Sequence, residues 1–241
     1  SILLGDGTGG VLSRKPIAFQ GNPNWLGVAD FNGDGSLDLA TANAILLGHG
    51  GDGFDATVRY TTVLATGAIA DLDADGALDL AAVNDSMPSG AVVLYNDGHG
   101  QVGPRVQRNA DRRDAIVKGD FNGDSLIDLA ASGMFSDQVS VLLSHGDGSF
   151  APEILSPAGA QVFGLAAGDF DGDGQVDLVV HPNLGDFVSL LRGKGDGSFL
   201  APVSTTVGIT PSALAVGDFN ADGRADLVSL RLRGEFVQVL L

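Results

Sequence analysis

Apolar and polar positions follow one pattern that recurs along the chain. Short runs of small and β-branched residues are separated by polar clusters dense in Asp, Asn and Gly, and no helical spacing flanks those clusters. Each unit predicts four strands. The first holds small residues and spans Trp25–Phe31, Ala68–Leu72, Ile116–Phe121, Leu165–Phe170 and Leu214–Phe219 in successive units. A polar loop follows, then a second strand opening on Asp-Leu at Asp38, Asp79, Asp128, Asp177 and Asp226. The third is rich in Val and Leu: Ala44–Leu47, Ala91–Tyr95, Val139–Leu143, Val188–Leu191 and Val237–Leu241. A Gly-Asp-Gly turn leads to a more polar fourth strand, as in Pro152–Leu155 and Pro202–Thr206. Proline at its start suits an outer edge, where a missing N–H is tolerated.

The loop between the first two strands carries the chemistry. Residues 169–177 read Asp-Phe-Asp-Gly-Asp-Gly-Gln-Val-Asp, with oxygen ligands at alternate positions and a glycine at the sixth. Alternate oxygens on a tightening loop converge on one hard cation, as in the calcium loop of an EF-hand, where the seventh residue gives a backbone carbonyl. Here the last carboxylate is the ninth residue, and strands replace the helices. The candidate ligand positions are Asp30, Asn32, Asp34, Ser36 and Asp38 in the first loop. The second offers Asp71, Asp73, Asp75, Ala77 and Asp79, and the third Asp120, Asn122, Asp124, Leu126 and Asp128. The fourth offers Asp169, Asp171, Asp173, Gln175 and Asp177, and the fifth Asp218, Asn220, Asp222, Arg224 and Asp226. Ser36, Ala77, Leu126, Gln175 and Arg224 stand at the carbonyl position. Loops two and four carry an extra carboxylate where the others have Asn. Loop three has Ser125 in place of the sixth-position glycine and is expected to bind most weakly.

Recurrence fixes the architecture. The last four loops are spaced by 49 residues, which fits a four-stranded propeller blade better than a helical repeat. The first spacing, from Asp30 to Asp71, is 41, which requires a minimal turn near Asn43. The expectation is an all-β protein, one β-propeller over residues 1–241, with five four-stranded blades and a calcium-binding hairpin loop in each. Ser1–Leu4 duplicates the last third strand, so the N-terminal segment, with Arg14–Phe19 as fourth strand, is expected to complete the last blade. A redundant terminal strand also opens a route to self-association.

The motif Phe-Asn-Gly-Asp-Gly followed by Asp-Leu, with Leu-Leu-Ser-His-Gly-Asp-Gly-Ser-Phe ending at Phe150, resembles FG-GAP/VCBS repeats. The resemblance, to the calcium-binding propeller of integrin α subunits and related microbial and fungal propellers, covers almost the whole chain. It implies one calcium per blade in the loop joining the first two strands, and ligand recognition on the opposite face or between blades.

Charge sharpens this reading. The formal net charge is -17, and seventeen of the 30 acidic residues lie in the five loops, so five divalent ions would bring it to -7. Such a chain is no nucleic-acid binder and is unsuited to anionic membrane, and no membrane-spanning run is visible. There is no cysteine, and free calcium at the level these loops suit is found outside cells, so the expected setting is extracellular or cell-surface. The first residue is Ser, not Met, which suggests a mature or excised product.

Catalysis finds little support. Outside the loops only Glu153 and Glu235 are glutamates, and the four histidines do not cluster. The chain is therefore expected to be a recognition or adhesion module whose partner, a protein or a glycan, docks opposite the calcium loops. Its candidate contact residues are Trp25, Arg112, Arg113, Met134, Phe135, His181, Arg231 and Arg233. A lectin is the alternative, and the scaffold of a calcium-dependent polysaccharide-degrading enzyme a more distant one.

Overall fold

A short hairpin precedes the repeats in the computed structural model, which describes residues 1–17, 25–50, 53–60, 64–84, 90–109, 115–133, 136–208, 210–230 and 237–240. The hairpin is β1 (Ile2–Gly5) with β2 (Val11–Lys15). Five antiparallel blades follow. Blade one is β3 (Leu26–Ala29), β4 (Asp38–Thr41), β5 (Ala44–Gly48) and β6 (Phe54–Arg59); blade two is β7 (Leu64–Ala70), β8 (Asp79–Asn84), β9 (Gly90–Asn96) and β10 (Val102–Asn109). Blade three is β11 (Ala115–Gly119), β12 (Asp128–Ser132), β13 (Gln138–Leu142) and β14 (Ile154–Pro157). Blade four is β15 (Val162–Gly168), β16 (Asp177–Pro182), β17 (Phe187–Leu191) and β18 (Val203–Thr206); blade five is β19 (Ala213–Gly217), β20 (Asp226–Leu230) and β21 (Val237–Leu240).

The inner strands touch in the order β3, β7, β11, β15, β19, which sets the blades side by side as in a propeller. The core lies between blades. Phe31, Ala40 and Ile45 of blade one meet Leu64, Leu80 and Leu94 of blade two. Val93 of blade two meets Leu129 and Phe150 of blade three, and Phe121 and Val141 of blade three meet Leu178 and Phe199 of blade four. Second strands are sandwiched on both faces. Every residue of β12 and β16 is buried, which is why they read as continuous apolar runs rather than alternating ones. Each large aliphatic chain so buried stabilises the stack by roughly 1.5–3 kcal/mol. The small side chains of Ala40, Ala81 and Ala130 are buried in these interblade clusters.

The shortened first unit turns as expected: β4 ends at Thr41, β5 starts at Ala44, and the Thr41 hydroxyl donates to the Ala44 carbonyl at 2.9 Å. One expectation is corrected. The N-terminal strands do not complete the last blade: β1 and β2 form their own two-stranded sheet, and blade five has three described strands. β21 takes the third-strand place beside β20, in register from Leu227 against Leu240 to Leu230 against Val237. β1 stays with β2 instead, and Ile2 lines a shallow cavity with Leu37, Leu39 and Phe54 of blade one. Phe31 and Phe121 are buried against the following blade, whereas Phe219 of blade five is exposed. Among the described residues no helix is long and apolar enough to cross a membrane.

Candidate metal centres

Each loop is built on three aspartates that accept backbone N–H groups. The first aspartate takes the N–H of the sixth residue: Gly35 to Asp30 at 2.8 Å, Gly76 to Asp71 at 3.0 Å, Ser125 to Asp120 at 2.8 Å, Gly174 to Asp169 at 3.0 Å and Gly223 to Asp218 at 2.9 Å. The fifth takes the N–H of the seventh: Ser36 to Asp34, Ala77 to Asp75, Leu126 to Asp124, Gln175 to Asp173 and Arg224 to Asp222, all between 2.7 and 2.9 Å. The seventh residues thus join the loop network through their N–H groups. These bonds curl the backbone so tightly that the fourth and sixth residues take positive φ. Glycine accepts this at Gly172 (77°) and Gly174 (85°), while Ala74 (59°), Ser125 (70°) and Ala221 (62°) adopt it with a side chain.

The ninth aspartate ties the loop to the blade. Asp38, Asp79, Asp128, Asp177 and Asp226 are buried. One oxygen accepts the N–H of the second loop residue: Phe31 at 2.7 Å, Leu72 at 2.8 Å, Phe121 at 2.9 Å, Phe170 at 3.0 Å and Phe219 at 2.8 Å. The other accepts an N–H at or just past the third strand's end: Gly48 at 2.7 Å, Asn96 at 2.9 Å, Ser144 at 2.8 Å and Gly193 at 2.8 Å. Burial pushes Asp79 up to about 6 and raises Asp128 and Asp177 as well.

The third position divides the loops. In loops one, three and five the amides of Asn32, Asn122 and Asn220 donate to Asp34, Asp124 and Asp222 at 3.0, 2.8 and 3.2 Å. Asp34 is held below its ordinary value, first by the Ser36 N–H and then by this amide. Loops two and four have Asp73 and Asp171, which cannot donate. There Asp71, Asp73 and Asp79, and likewise Asp169, Asp171 and Asp177, bring carboxylate oxygens within 4.8 Å of one another. Asp73 is raised by burial and then by the charge of Asp75. Asp71 Oδ1 is buried with no hydrogen-bond partner among the described residues. In loop four the Arg192 guanidinium stands 3.7 Å from Asp171. Converging anionic oxygens, one of them unpartnered, fit a hard divalent cation.

The opposite-face candidates fare differently. Trp25 is half-buried, its ring lying against Gly27 and Gly67 and packed on the core between blades one and two. His181 is corrected from a surface anchor to a packing residue. It is buried at the end of β16, edge-to-face with Phe163 at 5.7 Å, and Nδ1 donates to the Pro182 carbonyl at 3.1 Å. It fills space that Gly164 leaves open, since a Cβ there would meet the imidazole at 2.2 Å. Arg112, Arg113, Met134, Phe135, Arg231 and Arg233 lie outside the described residues.

Sequence reasoning missed the contacts joining one blade's loop to the next. Asn96 Nδ2 donates to the Phe31 carbonyl at 2.7 Å, the Gly197 N–H to the Phe121 carbonyl at 2.9 Å, and the Ala225 N–H to the Asp169 carbonyl at 3.0 Å. Only the Gly197 contact carries a sequence signal, the repeated turn glycine after a third strand.

Residues 120–180 and 183–229 match the FG-GAP-like repeat. No curated protein matches the chain. Among solved structures, the chain is similar to a lectin from Agrocybe aegerita that recognises non-reducing terminal N-acetylglucosamine. The TM-score is 0.60 at 19% identity, over 85% of this chain and 59% of the lectin. It is also similar to BBS1N in complex with ARL6DN (TM-score 0.57, 13% identity, 91% of this chain and 63% of that one). The Tc holotoxin pore of Photorhabdus luminescens gives 0.54 at 19% identity, over 95% of this chain and 11% of the toxin. The chain thus spans less than two thirds of each of these three.

Proposed function

Because the chain is a β-propeller of FG-GAP-like repeats, we propose that it is a calcium-stabilised recognition module that works outside the cell and catalyses nothing. The observation that carries the calcium reading is the pair of three-carboxylate clusters, with the buried, unpartnered Asp71 Oδ1 in one of them. Calcium would be held by Asp71, Asp73 and Asp79 in blade two and by Asp169, Asp171 and Asp177 in blade four, where it neutralises carboxylates that otherwise repel. Loops one, three and five would bind more weakly, since an Asn amide already relieves part of that repulsion.

A non-catalytic role is supported by how the aspartates are used. The ninth aspartates are buried and spend their oxygens on backbone N–H groups, so they are unsuited to acid–base work on a substrate. The ligand, a protein in the first reading, would dock on the face opposite the loops. A glycan is the second reading, favoured by the half-buried indole of Trp25 and by a fold shared with a lectin.

Calorimetric titration with calcium, followed by a glycan array and a pull-down from the natural surroundings in calcium, tests both halves. We expect at least two calcium sites and a calcium-dependent partner. Absence of calcium uptake by the folded chain would overturn the metal reading. A glycan-array signal lost in a Trp25→Ala variant would replace the protein ligand with a sugar.

A further inference from the structure

The two three-carboxylate clusters share a sequence pattern but not their surroundings. In loop two, Asp71 Oδ1 is buried without a partner among the described residues, and Asp73 is half-buried. The groups that cover Asp73 are neutral. The Tyr95 hydroxyl donates to the Gly148 carbonyl of blade three, and a Cβ on Gly148 would stand 3.4 Å from the Cβ of Asp73. Among the described residues no cation pairs with Asp71, Asp73 or Asp79.

Loop four meets both needs from within the chain. Asp169 Oδ1 accepts the Gly172 N–H at 2.7 Å, the bond that Asp71 Oδ1 lacks. The Arg192 guanidinium stands 3.7 Å from Asp171, which is exposed. Strand register puts Arg192 where blades one, two and three carry Leu47, Tyr95 and Leu143, so this charge distinguishes blade four from them. A second arginine reaches over from the next loop. The Ala225 N–H donates to the Asp169 carbonyl at 3.0 Å, and the Arg224 side chain lies over Gly172, its Cδ 3.6 Å and Nε 3.9 Å from where a Cβ would stand.

We infer that Arg192, seconded by Arg224, is the resident counter-cation of loop four, so that loop two takes calcium first and loop four only against an arginine already in place. This rests on the calcium reading above and deepens it: two loops that rank as equals by sequence become a tight site and a weaker one. A guanidinium and a divalent ion beside the same carboxylate repel, so calcium must displace the Arg192 side chain or bind within its field. An exposed ion pair changes an equilibrium constant by up to about fivefold, so loop four still fills, at higher calcium.

Calorimetric titration of the full chain with calcium tests this, with melting in chelator as a readout that needs no metal. Asp73→Asn should remove the tighter calcium event and Asp171→Asn a weaker one. Arg192→Leu, which installs the residue blade three has at that place, should tighten calcium at loop four by up to about fivefold and leave loop two unchanged. In chelator the same substitution should lower the melting temperature, and should cease to do so in an Asp171→Asn background. Asp73→Asn should raise the metal-free melting temperature more than Asp171→Asn does, since only loop two lacks a cation of its own. Equal calcium affinity at the two loops overturns the inference, as does an Arg192→Leu variant that binds calcium and melts as the wild type does. Were neither loop to take up calcium, the metal reading itself would fall, and the chelator melts would still decide whether Arg192 serves Asp171.

Discussion

Loops two and three have the same backbone course and the same buried ninth aspartate, yet they treat negative charge in opposite ways. In loop three the Asn122 amide donates to Asp124 at 2.8 Å, so two neighbouring oxygen groups already satisfy each other. In loop two Asp73 stands in that place, cannot donate, and joins Asp71 and Asp79 in a cluster of carboxylates. The sixth-residue and seventh-residue N–H bonds are present in both, but Asp120 Oδ1 also accepts the N–H groups of Gly123 and Asp124, whereas Asp71 Oδ1 has no partner among the described residues. Loop shape and cation demand are therefore separable. Backbone N–H groups bonded to the first, fifth and ninth aspartates make the shape, while the third residue decides how badly the loop needs a cation.

The largest effect should come from the part the two loops share. Asp79→Ala leaves the buried N–H groups of Leu72 and Asn96 without acceptors, and Asp128→Ala does the same to Phe121 and Ser144. At about 1–3 kcal/mol for each of the two orphaned groups, either change should cost about 2–6 kcal/mol by urea unfolding. The loss should be alike in the two loops and should survive saturating calcium. A variant restored by calcium alone would mean that the ninth aspartate is mainly a ligand.

The next effect separates the loops. At free calcium 100 times the dissociation constant, each occupied site adds about 2.7 kcal/mol to folding. Chelation should therefore lower the melting temperature, and most of the drop should vanish in the double variant Asp73→Asn/Asp171→Asn. That variant should also melt higher than the wild type in chelator, since each new amide can donate as Asn122 does. The converse change, Asn122→Asp, should make loop three more dependent on calcium. Equal calcium shifts in the wild type and the double variant would break the comparison.

Acidity offers a third, smaller handle. Burial lifts Asp79 from its ordinary 3.8 to about 6 in the folded, metal-free protein, so the folded state holds this proton more tightly than the unfolded chain. The resulting stability is full below about 4 and is lost as pH rises through about 6. Melting in chelator should then fall across that window. In calcium the trend should reverse, because ligands must be deprotonated to bind. His181, held below 6.5 by burial, opposes the metal-free trend, since the unfolded chain takes up its proton first as pH falls. A metal-free melting temperature that rises steadily from pH 4 to 6 would contradict the role given to Asp79.

What could be read in advance was local. The loops, the minimal turn before Ala44 and the positive φ at Ser125 follow from residues within a few positions of one another, and the blade count from the recurrence of those local units. What could not be read depends on which surface lies across the gap between blades. Phe219 and Phe121 stand in the same Gly-Asp-Phe-Asn run, yet Phe219 is exposed and Phe121 is buried against blade four. His181 looked like a loop residue until β16 proved long enough to carry it inward over Gly164. The pairing of β1 was misjudged for a similar reason: Ser1–Leu4 and Gln238–Leu241 are alike in sequence, and local sequence does not say which of them pairs with β20.

The smallest effect concerns strain rather than charge. A side chain in the left-handed region costs about 1–2 kcal/mol, of which glycine's extra freedom in the unfolded chain takes back about 0.4–1 kcal/mol. Ser125→Gly should therefore stabilise loop three by about 0.5–1 kcal/mol, and Ala74→Gly should do the same for loop two. Loop four needs no such repair, since Gly172 and Gly174 hold both positions. Because the strain belongs to loop shape, relief in loop three should raise stability in chelator and in calcium by the same amount. In loop two part of the gain should appear as tighter calcium binding, since a relaxed backbone lets three repelling carboxylates close on the ion. Calorimetry on the two glycine variants decides this. If Ser125→Gly improves calcium affinity as much as Ala74→Gly does, then strain, and not the third residue, sets the difference between the two loops.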